Sequence, residues 1–547
     1  MSSDPSAVLV RMQGASSGRV SGRAVLGWVV ALSVLGSAQA LAQVGRPLGL
    51  EAVLRQTLSR NPAIRLQERQ VELARGGLQQ SAGSFDPSLQ LSVSQKRDNQ
   101  PLNDYYRRLY TTNYGSQLGG AVTETRSDTG IVGATLEKTL RNGLVLSTTV
   151  SSTRTDGTTN AFNRWAPQNQ GLISFNLTVP LLRNAGLTAA AGERASELEW
   201  QAARQDLRQV VAKSVQSAVQ AYWGLIAASK NLQIAREGEA GMTRLLEDTR
   251  KLIAADELPA AEVNLILASL ADRRSARVAA ETALLQARQS LGAVMGLDYP
   301  DTERLAVDGD FPPLSPDVPE QPGLLPALRE QVLIRRPDLA AARFRRDAAQ
   351  VRVDVARDNL RPQLNLALGA GMAGLSEGAA GSNFLGALRD NTASPNTSVI
   401  LTYQTAFGNN AAEGVLAQRV AAFDTAAINH DSLVRAIGLA VESAYAGLVR
   451  SAQQLKASAE SVAIYQLSLE NEKTKNRLGT STILNVLNVN DSLRNARLAQ
   501  VSNHLNYLLS LATLGFETGT LVGDEAAESS IDLNRLLGAA WVARMAL

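Results

Sequence analysis

The chain has 547 residues but only 4% aromatics, too few for several ordinary globular cores, and its Ala-, Leu-, Gln- and Arg-rich stretches have the composition of extended helices. It has no cysteine, which excludes disulfides, thiol catalysis, Cys-ligated metals and a lipid-anchored N-terminal Cys; its two histidines, His430 and His504, argue against a His-based triad or a multi-His zinc site. The formal net charge of +3 falls to about +1 once residues 1–42 are set aside, a near-neutral balance that gives no support for nucleic-acid binding.

Residues 1–42 read as a secretory signal. Arg19 and Arg23 precede an apolar run from Ala24 to Leu35, and Ala40-Leu41-Ala42 offers a small-residue cleavage site before Gln43. That run is too short to span a bilayer, and no other run of about 18 apolar residues follows, so no transmembrane helix is expected. An exported chain that enters a membrane without such a helix must do so as a closed β-barrel.

Residues 43–296 form a first repeat. A helix is predicted over Leu50–Ser81. Leu89, Leu91 and Val93 then alternate with Gln90, Ser92 and Ser94 as a strand. Tyr105, Tyr106, Tyr110 and Tyr114 crowd a loop. Thr129–Leu140 and Gly143–Arg154 are alternating runs joined around Arg141-Asn142-Gly143, where Asn-Gly signals a hairpin. Ile173, Phe175, Leu177, Val179 and Leu181 alternate with Ser174, Asn176, Thr178 and Pro180. The proline-free interval that follows predicts a long helix over Thr188–Ile253, because a proline inside a helix costs roughly 3 kcal/mol. It breaks at Ala255-Asp256-Glu257-Leu258-Pro259, and a shorter helix returns over Ala260–Val294.

Seven of the eighteen prolines lie between Pro300 and Pro326, which marks residues 297–326 as a linker. Residues 327–521 form a second repeat: a helix over Ala327–Asn359, strands around Leu364–Leu368 and Val399–Tyr403, and a long helix over Asn410–Arg477. In that helix Val434, Ile437, Val441, Tyr445, Leu448, Ala452 and Leu455 step by three or four. The break is Leu478-Gly479-Thr480-Ser481-Thr482, with a return helix over Ile483–Leu514; residues 522–547 are a tail. Each long helix would reach on the order of 100 Å. No compact domain holds such a length, so these helices are expected to pack sideways as coiled coils.

The two repeats match at fixed offsets. Asn61-Pro62 and Arg336-Pro337 lie 275 residues apart, as do Pro87 and Pro362; Ala221-Tyr222-Trp223-Gly224-Leu225 and Ala444-Tyr445-Ala446-Gly447-Leu448 lie 223 apart. The first copy therefore carries 52 extra residues, and they fall in the strand region around the hairpin. Whether that hairpin joins a barrel wall or stands outside it is open at this stage. An apolar strand face opposite a polar one suits a membrane barrel, with a soluble antiparallel sheet as the alternative.

Together these residues resemble the TolC-like outer-membrane efflux and secretion channels, over about Leu48–Leu521. The resemblance is carried by Asn61-Pro62, Val179-Pro180-Leu181-Leu182-Arg183, Ala221-Tyr222-Trp223, the run from Arg477-Leu478-Gly479-Thr480-Ser481 to Leu487, and the closing Thr518-Gly519-Thr520-Leu521. It implies an α+β membrane protein: a trimeric outer-membrane β-barrel, four strands per protomer, continuous with a long periplasmic α-helical coiled-coil barrel, with two internal repeats per chain. The linker would belong to a belt around the tunnel. The implied function is a passive exit duct of a tripartite efflux or type I secretion system. Its implied partners are two further copies, a periplasmic adaptor (membrane fusion protein), an inner-membrane pump and outer-membrane lipid. No cofactor or metal is expected. Glu262 and Asp272 are ordinary helix-face carboxylates, since no converging partners or cleft accompany them.

By the same resemblance, an adaptor would dock on the hairpin tips, at Asp256, Glu257 and Leu258 in the first copy and Arg477, Leu478, Gly479, Thr480 and Ser481 in the second. The tunnel gate would lie just past the second tip. Here the chain departs from the family pattern: Asn485 and Asn488 stand at the usual Asp positions, Ser481 at the usual Arg position and Asn476 at the usual Tyr position. Asn485 and Asn488 are expected to narrow the mouth by hydrogen bonding, less pH-sensitively than carboxylates would. Asp491, about one turn past Asn488, is either a replacement acidic ring or an ordinary surface carboxylate. The rival readings are a periplasmic coiled-coil scaffold or adaptor that never enters a membrane, and an exported enzyme.

Overall fold

The structure, a computed structural model, describes residues 48–254, 262–307, 309–312, 324–390 and 394–522. The signal segment, the tail beyond Val522, much of the proline-rich linker and the first tip with Asp256, Glu257 and Leu258 lie outside the described residues. In chain order the elements are α1 (Leu50–Arg60), α2 (Pro62–Ala82), β1 (Ser88–Pro101), α3 (Asp104–Leu118), β2 (Glu124–Thr139), β3 (Val145–Gly157), α4 (Thr158–Asn163), β4 (Gln168–Pro180), α5 (Ala191–Ala254), α6 (Glu262–Met295) and α7 (Tyr299–Glu303). The second repeat adds α8 (Leu324–Arg335), α9 (Pro337–Asp358), β5 (Gln363–Glu377), α10 (Gly381–Gly386), β6 (Ser394–Gln404), α11 (Asn410–Arg477) and α12 (Ile483–Glu517). The chain divides into two compact units: Met1–Ser59, Ala218–Pro312 and Ser468–Ser502 in one, Arg60–Ser217, Pro313–Leu467 and Asn503–Leu547 in the other.

The long helices have the predicted bounds to within a few residues, 64 residues for α5 and 68 for α11. Ile437, Val441, Leu448, Ala452 and Leu455 of the predicted stripe are buried. Against the expectation of no spanning helix, α11 contains one window apolar enough to cross a membrane by length and composition, and few residues of that window are fully buried in the single chain.

The helices expected over Leu50–Ser81 and Ala327–Asn359 are each two helices, split at the residue before a proline. A residue preceding proline is pushed out of the helical region, and a proline at the first helical position loses no donor it would have used. Asn61 (φ −57, ψ 124) caps α2, its side-chain oxygen accepting from the N–H groups of Ala63 at 2.9 Å and Ile64 at 3.4 Å. Arg336 (φ −71, ψ 118) holds the same place before α9 but makes no side-chain cap. Its buried guanidinium donates instead to Asp338 at 2.7 Å, and to the Glu517 carboxylate at 2.6 Å and backbone carbonyl at 3.1 Å. Burial alone would lower its pKa; the two carboxylates outweigh burial and raise it. The chain beyond α12 closes over this group. A Cβ at Gly519 (φ 66) would stand 3.3 Å from the Arg335 backbone, and the buried Thr518 and Thr520 hydroxyls pair at 2.9 Å.

All six strands form one antiparallel sheet in the order β1-β2-β3-β4-β5-β6. The added hairpin β2–β3 is thus a full member of the sheet, between β1 and β4, and the sheet has six strands where the family resemblance implies four. Opposed residues on adjacent strands share a face, so the register defines two faces. One face carries the row Leu91–Ala134–Val150–Ile173–Met372 and its neighbours Leu89–Leu136 and Leu177–Leu368–Val399. The other carries Gln90–Thr135–Thr149–Ser174–Gly371–Asn396, with the Thr135 and Thr149 hydroxyls 3.2 Å apart.

The turn of the added hairpin is built in as well. Gly143 alone in Arg141-Asn142-Gly143 has positive φ (89°), so the loop is a three-residue turn closed by a left-handed glycine rather than a two-residue Asn-Gly turn. A Cβ at Gly143 would stand 2.5 Å from the Asn184 carbonyl oxygen. Beside it Arg141 donates to both oxygens of Glu193 at the start of α5, at 2.6 and 2.7 Å. The tyrosine-rich segment is the helix α3, whose Tyr110 and Tyr114 pack on Phe162 of α4.

Candidate functional site

The second tip is a closed turn between α11 and α12. Gly479 (φ 75) ends α11 with a backbone bond to Asn476, while Thr480 N–H reaches back to the Lys475 carbonyl; this αL glycine termination stops a helix sharply. Thr482 opens α12, its carbonyl and hydroxyl accepting from the Asn485 N–H at 3.1 and 3.4 Å.

Three of the predicted gate residues meet inside this turn. Asn476 donates its amide to the Ser481 carbonyl at 2.9 Å, and Asn485 donates to the Ser481 hydroxyl at 3.3 Å. The Ser481 hydroxyl in turn donates to the carboxylate of Glu472, one turn before Asn476, which Lys475 also approaches at 3.4 Å. The hydroxyl first, then Lys475, hold Glu472 below its ordinary pKa. Asn488 is not drawn into this cluster and is exposed, as are Arg477, Thr480 and Leu478, the last leaving 73% of its surface open.

Asp491 leaves about half of its side chain exposed, and its carboxylate contacts the guanidinium of Arg273 on α6. Arg273 is buried, and its pKa is lowered first by desolvation and then by Arg494. A buried cation needs a counter-ion, and Asp491 supplies it. Around this pair Met242 and Leu246 of α5, Ile266 and Leu270 of α6 and Leu487 of α12 form a buried apolar cluster. Charged contacts continue along the helices, with Arg277 between Glu239 (2.6 Å) and Glu281 (2.8 Å), and Arg497 near Glu237 (3.7 Å).

Sequence reasoning missed Arg273 and Glu472. Arg273 had a legible signal: Ile266, Leu270, Arg273 and Arg277 step by four, three and four, so an arginine interrupts an apolar stripe. Glu472 had none, because its partner Ser481 lies across the turn, beyond any helical spacing. Asp256, Glu257 and Leu258 lie outside the described residues. Among the described residues no group of three or more His, Cys, Asp or Glu side chains could hold a metal ion.

The chain is similar to known proteins in part of its sequence and in its fold. Residues 328–520 match the model of the outer membrane efflux protein family. Over 86% of the chain the fold is similar to that of the outer-membrane channel OprN (TM-score 0.63, 19% identity, 90% of that chain). It is similar in the same measure to the Campylobacter jejuni CmeC outer membrane channel (0.63, 16%, 85% of that chain). The Neisseria gonorrhoeae MtrE outer membrane channel in its open state is also similar (0.58, 15%, 88% of that chain). No curated protein matches the chain. The second repeat thus matches the outer membrane efflux protein family by sequence, and 86% of the chain shares the fold of these outer-membrane channels.

Proposed function

We propose that this protein is an outer-membrane exit duct that passively conducts substrates delivered by an inner-membrane pump through a periplasmic adaptor. The observation that carries this reading is the two-faced sheet: an exposed apolar face opposite a face of serine, threonine, asparagine and glycine, with unpaired strands at both edges. Water on both sides would not favour so large an apolar face, and lipid does not tolerate open edges. Further copies of the chain must therefore close the sheet. Three copies fit the resemblance, and an apolar groove between Val332 and Leu333 of α8 and Ile437, Leu439 and Val441 of α11 leaves room for a neighbouring helix.

The tips serve as the adaptor surface in this reading, with exposed Leu478 and Thr480 as its apolar and polar contacts at the second tip. The gate is set by the Arg273–Asp491 pair together with the Glu472–Ser481–Asn485 cluster, rather than by a ring of Asn485 and Asn488 alone. Substrate movement needs no chemistry by the chain.

Membrane fractionation with heat-modifiable migration of the detergent-solubilised protein tests the duct. A heat-dissociable oligomer in the outer-membrane fraction is expected. A soluble periplasmic monomer would favour the coiled-coil scaffold reading instead. Crosslinking from Ser481→Cys to a co-purified adaptor tests the tip.

A further inference from the structure

The added hairpin changes what a closed barrel of this chain must be. Four strands per copy, as the family resemblance implies, would make twelve strands in a ring of three. Here each copy supplies one sheet of six, joined without interruption from β1 to β6. β2 pairs β1 over its whole length, from Ser88–Glu137 to Pro101–Glu124, and β3 pairs β4 from Val145–Thr178 to Thr155–Gln168. The hairpin cannot swing out of the sheet without breaking both ladders.

The hairpin also carries the membrane pattern in phase with its neighbours. Val132, Ala134 and Leu136 of β2 and Leu146 and Val150 of β3 fall on the apolar face, beside Leu91 and Ile173. Gly133, Thr135, Thr149 and Ser151 fall on the polar face. A hairpin standing outside a barrel wall would have no reason to keep this phase, because a one-residue slip would reverse every side chain. Its turn is fastened at Asn142, whose carbonyl accepts from the Gly186 N–H at 3.1 Å, and at Arg141, which donates to Glu193 of α5.

The two free edges are complementary. With an even number of alternating strands, β1 and β6 run in opposite directions, so β6 of one copy meets β1 of the next in antiparallel sense. Both edges are apolar at matching ends: Leu89, Leu91 and Val93 at the start of β1, and Val399, Leu401 and Tyr403 at the close of β6, all exposed in the single chain. Edge charges and prolines, the usual devices against pairing, lie towards the other ends, at Lys96, Arg97 and Pro101 of β1 and Pro395 of β6.

We propose that three copies close an eighteen-stranded barrel, with β6 of each copy on β1 of the next and the added hairpin as part of the lipid-facing wall. This rests on the membrane-duct reading above. Barrel diameter grows roughly linearly with strand number, and barrels of about 16–18 strands enclose an aqueous channel. The open cross-section is then about twice that of a twelve-stranded ring. Its lining is mostly serine, threonine, asparagine, glutamine and glycine, with Lys96, Asp98, Glu137 and Glu377 as the charged residues of each copy's polar face, and such a lining suits bulky polar solutes.

Because the chain has no cysteine, each introduced cysteine is a unique label. Spin labels at Leu91→Cys, Leu136→Cys, Val150→Cys, Leu401→Cys and Thr149→Cys, in the full chain in proteoliposomes, are read for collision with oxygen against a water-soluble nickel chelate. The first four should favour oxygen at least several-fold, and Thr149→Cys should favour nickel. Nickel access at 136 and 150 with oxygen preference kept at 91 and 401 overturns the wall assignment and leaves the duct intact. Nickel access at all four sinks the duct itself. Copper-catalysed crosslinking of Leu91→Cys paired with Val399→Cys, Leu401→Cys or Tyr403→Cys should give a ladder ending at three copies. A ladder ending at two, or no crosslink from any pair, overturns the eighteen-stranded closure.

Discussion

At Asn61 the open donors of a helix start are met by a neutral side chain reaching forward to Ala63 and Ile64. At Arg336, in the same backbone geometry before the matching proline, no side chain caps the helix, and a buried cation binds Asp338 and Glu517 instead. Duplication preserved the proline-directed break and let its chemistry diverge. The first copy uses the position to start a helix. The second uses it to tie α9 to the end of α12, which is why the Thr518-Gly519-Thr520-Leu521 motif closes over it. A proline fixes backbone shape wherever it is copied; the residue before it is free to take on a tertiary task.

This contrast can be broken experimentally, and the largest effect is expected at Arg336. Arg336→Ala leaves two carboxylates facing a vacated site and should cost on the order of 3–5 kcal/mol in thermal unfolding. Arg336→Asn, which copies the first repeat, should recover only about 1 kcal/mol as a cap. Full recovery would mean that the cation merely occupies a capping position. Next, Asp491→Ala strands Arg273 beside Arg494 and should cost about 1–3 kcal/mol. The double variant Arg273→Met with Asp491→Ala should be more stable than Asp491→Ala alone, because it removes the uncompensated charge. Single-channel conductance of the same variants reports whether the pair also holds the mouth closed, with longer open times expected for Asp491→Ala.

Gly143→Ala forces a side chain into a left-handed conformation against the Asn184 carbonyl and should cost roughly 1–2 kcal/mol, seen as a lower dissociation temperature of the oligomer. Asn61→Ala should cost about 1 kcal/mol. The smallest effect concerns pH at the second tip. Glu472 is held below its ordinary pKa in the folded state, so its contribution is present above the unfolded value and is lost as pH falls through the folded one. The protection of the Gly479 and Thr480 amides, relative to unstructured chain at the same pH, should therefore fall on acidification below the ordinary carboxylate range. Glu472→Gln should abolish that acid step.

Periodicity made the long helices legible almost residue by residue, since an apolar stripe stepping by three or four needs no knowledge of its partner. Alternation likewise exposed every strand, including both arms of the added hairpin. What alternation could not supply is neighbourhood: nothing in Thr129–Arg154 says which strands flank it, because pairing is a relation between segments. The break at each proline was legible in principle and was read through, since helical spacing resumes on both sides of Asn61-Pro62. The charged centres were the least legible. Arg336 finds Glu517 across 181 residues, and Arg273 finds Asp491 between two separate hairpins, so no local spacing rule joins them. The tip was half legible: Asn476, Ser481 and Asn485 do come together, around a carboxylate that had been passed over.

The hairpin inserted between β1 and β4 also shows how such a sheet can be enlarged. Two strands enter together, one up and one down, so the directions of the outer edges stay as they were. A single added strand would have reversed one edge and spoiled every junction between copies. Growth in this architecture is therefore quantised, two strands per chain, and each step widens the ring while the repeats on either side keep their length. The helical lengths and the membrane aperture are independent variables, and a lineage of such chains can tune the second through one gene segment.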